Sequence, residues 1–178
     1  MKVIFWDLET TDLKALMGRI ICCSFVTLEG DIWTYRGDDD PYRRADLIDD
    51  GALCVTIRDT LEDFDLIVAH NGRLFDIPML NARLAKVGER PLNPHFVMDP
   101  RWYLNSSSMR IGSAKLENAQ KFFGLTESKT PISWETWQRA GMGDRAAMDE
   151  VVRHCEQDVL VLRELYPHVL PYVKTLHR

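Results

Sequence analysis

Residues 2–11 read KVIFWDLETT, an apolar run that ends in two carboxylates separated by one residue. Because the run is short and rich in β-branched and aromatic residues, it predicts a buried strand over residues 2–7. Side chains of a strand alternate between its two faces, so Asp7 and Glu9 are expected to point the same way. Neighbouring carboxylates repel each other, and burial strengthens the repulsion. The pair indicates a metal site at the end of a central strand, although a strand that ends in solvent would carry the same residues.

Four more strands are expected beyond this one. Residues 19–28 and 31–36 are joined by the tight turn Glu29-Gly30, which predicts a hairpin. Residues 65–69 and 96–98 are shorter apolar runs and predict the fourth and fifth strands.

Helical spacing and capping residues predict the helices. Ser113 is expected to cap a helix that ends at Gly124, and Ser133 a short helix that contains two tryptophans. Pro167 is expected to stop the last and longest helix. The predicted helices cover residues 55–63, 75–87, 113–124, a short stretch after 133, and about 144–166.

The element order is three strands, helix, strand, helix, strand and helices. It predicts an α/β fold in which a mixed five-stranded sheet is flanked by helices. Residues 1–178 are expected to form a single domain, because that length suits one domain with a substantial core. The acidic segment 37–51 is expected to be a solvated loop or insertion without chemistry.

Composition and charge narrow the classes of function. The chain is 46% hydrophobic and 28% charged, which is typical of a globular protein. Its net charge of -5 argues against a protein that coats long nucleic acids, since that needs many lysines and arginines. The charge is still compatible with an enzyme that binds only a few nucleotides. No apolar stretch approaches the ~20 residues that cross a bilayer, so no membrane partner is expected.

The cysteines and the N-terminus predict a cytoplasmic location. The chain has no C-x-x-C pair and no zinc spacing, so free thiols in a reducing compartment are expected. Met1 is followed by a strand and not by a basic region and an apolar signal segment, so nothing indicates secretion. The four cysteines are Cys22, Cys23, Cys54 and Cys155.

Two further carboxylates stand out by their context. Asp76 lies just past the fourth predicted strand at the start of a helix, where a carboxylate also favours the helix dipole. Asp158 lies in the last helix, four residues after His154, so these two side chains share a helix face. Taken alone, each has an ordinary interpretation, a helix N-terminal acid and a surface His–Asp pair.

Together the four carboxylates resemble the DEDD superfamily of 3′-to-5′ exonucleases. The D-x-E of the first strand, the N-x-x-x-F-D of residues 71–76 and the late helical Asp occur in that order. The segment SAKLENAQKFFGL, residues 113–125, is similar to the stretch before the last motif in small phage and bacterial members. The resemblance covers nearly the whole chain and implies a ribonuclease-H-like fold.

The resemblance also implies the chemistry. Asp7, Glu9, Asp76 and Asp158 would bind two divalent cations, and their oxygen ligands select Mg²⁺ or Mn²⁺. Two cations about 4 Å apart stabilise the attacking and the leaving oxygen in phosphodiester hydrolysis. The implied activity is that of a 3′-to-5′ exonuclease, which acts on single-stranded DNA or RNA and releases nucleoside monophosphates.

His154 departs from both branches of that superfamily. One branch has a Tyr four residues before the last Asp, and the other has a His five residues before it. Here a His occupies the Tyr spacing. Because imidazole suits proton transfer near neutral pH, His154 is expected to orient or deprotonate the attacking water. The alternative is a histidine at the helix edge, with the water activated by metal alone.

Other residues are predicted to contact the substrate. The resemblance implies that Thr10 and Leu13 touch the terminal nucleotide through backbone amides and an apolar wedge. Asn71 and Phe75 are expected to line the same pocket, although a turn asparagine and a core phenylalanine are equally open. Candidate phosphate contacts are Arg110, Lys115, Lys121 and Lys129. Core positions are expected for Trp102, Trp134 and Trp137.

Three alternatives stay open. An RNA-specific exonuclease would trim short oligoribonucleotides, and no residue pattern here distinguishes a contact to the 2′-hydroxyl. A non-catalytic nucleic-acid or protein-binding module would keep the fold, and an internally cutting nuclease would keep the chemistry. The expected partner is the 3′ end of a single-stranded nucleic acid. A polymerase or other replication or repair protein acting in trans is a further candidate.

Overall fold

A mixed sheet of five strands forms the centre of the structure. The computed structural model describes residues 1–43, 49–128, 130–174 and 176. The strands are β1 Val3–Thr10, β2 Ile20–Thr27, β3 Ile32–Arg36, β4 Leu66–Val68 and β5 Phe96–Met98. They lie in the order β3-β2-β1-β4-β5. β1 pairs antiparallel with β2 and parallel with β4, so the predicted mixed sheet and its hairpin are confirmed.

Helices cover both faces of this sheet. In the described residues they are α1 Gly51–Glu62, α2 Asp76–Lys86, α3 Pro100–Leu104, α4 Leu116–Phe123, α5 Trp134–Gly141 and α6 Arg145–Val169. A 3₁₀ turn over Leu170–Tyr172 follows α6. Two predicted caps are confirmed: Ser133 Oγ accepts a hydrogen bond from the Thr136 N–H, and Gly124 adopts a left-handed φ of 64° after α4.

The helices differ from the predictions in several places. α1 begins at Gly51, four residues before its predicted start. α6 continues past Pro167, because proline keeps a helical φ and the buried Tyr166 and Val169 anchor the last turn in the core. α4 begins at Leu116 without a side-chain cap, and Ser113 Oγ instead accepts from the Lys115 N–H. α3 was not predicted, since its five residues are too few to show a helical period.

Side chains alternate between the two faces of β1, so its two sets of side chains pack into different hydrophobic cores. Ile4 and Trp6 pack against residues of α1 and α2. Val3 and Phe5 pack against residues of α6, and the Phe5 ring meets the Tyr166 ring edge-on at 5.2 Å. Both sets are buried, as expected for a central strand. Because side chains alternate, Asp7 and Glu9 continue the face of Val3 and Phe5 towards α6.

The structure also bears on the cysteines, on membrane spans and on two stretches of the sequence. The four cysteines are buried and free, as predicted. Within the described residues, no helix is long and apolar enough to cross a membrane. Part of the segment 37–51, residues 44–48, and the candidate phosphate contact Lys129 lie outside the described residues.

Candidate active site

One open cavity of about 430 Å³ brings the predicted carboxylates together. It lies at the end of β1, with walls from the loop before α2, the loop before α5, and α5 and α6. The lining residues are Asp7, Leu8, Glu9, His70, Asn71, Phe75, Asp76, Thr130, Pro131, Ile132, Trp137, His154 and Asp158. Four carboxylates from one strand and two helices, together with two imidazoles, therefore border the same space.

One group of three candidate ligand atoms lies between β1 and α6. Asp7, Glu9 and Cys155 each offer one such atom, and these atoms lie within 4.8 Å of one another. The Cys155 thiol donates to the Asp7 carbonyl oxygen at 3.3 Å and lies 3.7 Å from Asp7 Oδ2. Burial raises the pKa of this thiol well above its ordinary value, so it is neutral. Asp76 and Asp158 line the same cavity outside this group.

Asp76 is a buried carboxyl at the first position of α2. Only 3% of its surface is exposed, and its Oδ1 accepts the Leu8 N–H at 3.4 Å. Desolvation by burial raises the pKa of Asp76 to about 7, and the negative charge of Asp99 adds to the rise. The hydrogen bond from Leu8 opposes the shift without cancelling it. The ionised form of Asp76 is therefore energetically unfavourable in the folded protein.

His154 lies between the carboxylates of the two elements. Its Nε2 is 3.8 Å from Glu9 Oε1 and 3.9 Å from Asp158 Oδ2. On the other side of the ring, Nδ1 is 3.1 Å from Thr130 Oγ1. Either atom can donate in the contact between Nδ1 and Thr130 Oγ1, and a hydrogen on Nδ1 makes Nε2, the nitrogen nearer the two carboxylates, the one that can accept a proton. The helical spacing of four thus brings His154 to the Asp158 carboxylate, as predicted.

The structure separates the four predicted substrate contacts into two pairs. Asn71 and Phe75 line the cavity. Thr10 does not line it, and its hydroxyl donates to the Asp12 carbonyl oxygen at 2.9 Å. Leu13 does not line it either, and its side chain is 77% exposed on the loop after β1.

Trp137 is a site residue that the sequence did not reveal. Its indole Nε1 donates to Glu9 Oε2 at 2.9 Å, and its ring meets the His154 ring edge-on at 5.4 Å. The prediction of core tryptophans is wrong for two others, since Trp134 is 57% and Trp102 is 49% exposed. Tryptophan is common in cores, and only the tertiary arrangement shows that an indole N–H points at a carboxylate.

Asp99 is a second residue that the sequence did not reveal. It is buried at the N-terminus of α3, and burial raises the pKa of its carboxyl. Its Oδ1 accepts the N–H groups of Asn71 at 2.9 Å and Arg101 at 3.1 Å. Asn71 has a left-handed φ of 67°, which the bond to Asp99 helps to hold. The dipeptide Asp99-Pro100 could have indicated that Asp99 caps a helix, because Asp followed by Pro is typical of a helix start.

The donor set of the cavity fits hard divalent cations. Asp7 and Glu9 offer oxygen atoms close together, and such ligands bind Mg²⁺ and Mn²⁺. The raised pKa of Asp76 points the same way, since an adjoining cation favours the charged carboxylate and relieves the cost of burial.

Comparisons with known proteins agree with this architecture. A family model named RNase_H_2, of the RNase_H superfamily, matches residues 4–170. No curated protein matches the chain. Among solved structures, a family B DNA polymerase from the hyperthermophilic archaeon Pyrobaculum calidifontis superposes with a TM-score of 0.73 at 18% identity. The match covers 97% of this chain and 25% of the polymerase, so the chain spans about a quarter of that protein's length. At this identity the likeness concerns the fold.

Proposed function

Since this chain belongs to the RNase_H superfamily, which confirms the ribonuclease-H-like fold, we propose that it is a metal-dependent 3′-to-5′ exonuclease of the DEDD type. It would hydrolyse phosphodiester bonds of single-stranded DNA or RNA and release nucleoside monophosphates. One observation carries the proposal: Asp7, Glu9, Asp76 and Asp158 border one cavity together with His154. A binding module would have no use for so many carboxylates in one place, because their repulsion is costly without a cation.

The residues that line the cavity have different proposed roles. Asp7, Glu9, Asp76 and Asp158 would hold the cations. Bound divalent cations lower the pKa of water and stabilise negative charge on phosphorus oxygens. Trp137 fixes one oxygen of Glu9 through its indole N–H, which leaves the other oxygen on the side of His154. Phe75 and Asn71 would contact the terminal nucleotide, with the ring of Phe75 as a stacking face.

His154 is proposed to accept the proton of the attacking water. Its replacement by alanine should lower kcat by roughly 10²-fold and change KM little, since the imidazole would act on water and not on the substrate. Replacement by glutamine should cost nearly as much, because an amide keeps hydrogen bonding but takes up no proton.

Steady-state rates on a labelled oligonucleotide measure this effect, with circular dichroism to confirm folding. Turnover of the alanine variant at the wild-type level would contradict a role for His154. Near-normal turnover of the glutamine variant alone would reduce that role to orientation.

Digestion of a 5′-labelled single-stranded oligonucleotide tests the proposed function. With Mg²⁺ or Mn²⁺ we expect a ladder that shortens by one nucleotide at a time and disappears when a chelator is added. A circular single strand of the same composition should survive, because an exonuclease needs an end.

Matched DNA and RNA oligomers extend this test. The likeness to part of a family B DNA polymerase makes DNA the first substrate to try. Cleavage of the circle would indicate an internally cutting enzyme, and no digestion of DNA or RNA with either metal would contradict nuclease activity. A partner acting in trans and a cytoplasmic location stay predictions.

A further inference from the structure

A second cavity of about 360 Å³ adjoins the first and differs from it in charge. The two share Asp7, His70, Asn71 and Asp158 as walls. From there the second cavity extends to α3 and the start of α4, where Arg101 and Lys115 line it. We call this space the basic cavity. Beyond the carboxylates and His70, the first cavity instead continues between Phe75, Ile132 and Trp137, with no lysine or arginine among its described lining residues.

The two cations of the basic cavity are available to an anion. Within the part of the chain that the structure describes, neither Arg101 nor Lys115 forms an ion pair. Glu117 also lines this cavity, but its Oε1 lies 2.6 Å from Lys121 Nζ, which offsets its charge. Two positive charges that take part in no ion pair among the described residues therefore lie beside the carboxylates of the first cavity.

Arg101 is also held in place before any ligand arrives. Its backbone N–H donates to Asp99 Oδ1 at 3.1 Å, and its guanidinium Nη1 donates to Asn71 Oδ1. Asp99 accepts the Asn71 N–H with the same oxygen, so one buried carboxylate fixes both residues. A cation fixed in this way loses less conformational entropy when it binds a phosphate.

We propose that the basic cavity binds the phosphate next to the scissile one, on the part of the strand that remains after cleavage. This inference rests on the proposed function. A strand whose scissile phosphate lies among the carboxylates has a nucleoside on one side and further phosphates on the other. The apolar and aromatic first cavity suits the nucleoside, and Arg101 and Lys115 suit the next phosphate. The substrate class is then an oligonucleotide with at least one phosphate beyond the scissile one, bound by charge near its 3′ end.

The experiment compares two substrates that differ in this phosphate. The p-nitrophenyl ester of thymidine 5′-monophosphate has only a scissile phosphate, and a hexanucleotide has several more. The double variant R101A/K115A should lower kcat/KM on the hexanucleotide by roughly 10–100-fold, mainly through KM, and lower it far less on the ester, which loses only the support that Arg101 gives to Asn71. Its salt dependence should also weaken, by roughly 0.7 in log–log slope for each lost contact on a single strand.

The matched control K86A/K174A removes two exposed positive charges that do not line either cavity. It should behave like the wild type on both substrates. An equal loss on the ester and the hexanucleotide in R101A/K115A would overturn the inference, and so would no loss on either.

Binding without turnover separates this inference from the proposed function. Fluorescence anisotropy of a labelled hexanucleotide in the D7N background should show weaker binding when R101A/K115A is added. That result supports the basic cavity even if the wild-type protein digests nothing, in which case the proposed function alone fails. Unchanged anisotropy overturns the inference whatever the activity.

Discussion

Replacing Asp7 with asparagine is expected to lower exonuclease turnover by roughly 10³-fold, about 4 kcal/mol of transition-state stabilisation. Asp7 lines both cavities, as Asp158 does, and it is also one of the three residues whose ligand atoms lie within 4.8 Å of one another. Asparagine keeps the shape of the side chain and removes one negative charge. The substitution should therefore weaken cation binding and the stabilisation of the reacting phosphate, with little effect on packing.

The fold of the Asp7→Asn variant should be unharmed. Asp7 and Glu9 lie close together, so in the presence of chelator removing one charge relieves their repulsion and should leave Tm unchanged or slightly higher. Rates with Mg²⁺ and Mn²⁺, calorimetric titration of each metal and thermal melts in chelator measure the three effects. Asp63→Asn is the matched control, because Asp63 is exposed at the C-terminal end of α1. Full activity in Asp7→Asn would remove the carboxylate cluster from the mechanism.

The metal-binding face of β1 was predictable because strand geometry alone determines it. Alternation places Asp7 and Glu9 on one face, and the helical spacing of four places His154 beside Asp158. The structure brings these two pairs together through the packing of β1 on α6. Periodicity indicates the direction of each side chain, and the order of elements indicates which faces meet.

Contacts between distant segments were not predictable in the same way. Asp50 belongs to the acidic stretch expected to be solvated, and that expectation is wrong for this residue. It is buried, and its Oδ1 lies 2.7 Å from Arg83 Nη2 while its Oδ2 accepts the Ile20 N–H at 2.8 Å. A buried charge needs both a partner and hydrogen bonds, and these partners lie 30 or more residues away. Trp137 was missed for the same reason, since Glu9 is 128 residues away.

Asp76→Asn is expected to change activity and stability in opposite directions. Burial raises the pKa of Asp76 to about 7, while an unfolded aspartate titrates near 4. Between these values the folded state binds more protons than the unfolded state. The stability that this carboxyl contributes is therefore fully present below pH ~4 and is lost as pH rises through about 7. Asparagine has no proton to lose and still offers an oxygen to the Leu8 N–H.

Urea unfolding of the metal-free proteins at several pH values tests this expectation. At pH 8 the Asp76→Asn variant should be more stable than the wild type by roughly 1–3 kcal/mol, and the two should converge towards pH 4. Mg²⁺ should stabilise the wild type more than the variant, because a ligand that binds only the folded state adds to its stability. Exonuclease turnover of the variant should fall by roughly 10²-fold or more.

The control Asp63→Asn should change neither the free energy of unfolding nor the exonuclease turnover. A variant that is destabilised equally at pH 4 and pH 8 would show that Asp76 is a structural hydrogen-bond acceptor whose charge is not strained. The expected result would instead show that the protein keeps a costly buried carboxylate at position 76 because a bound cation needs it.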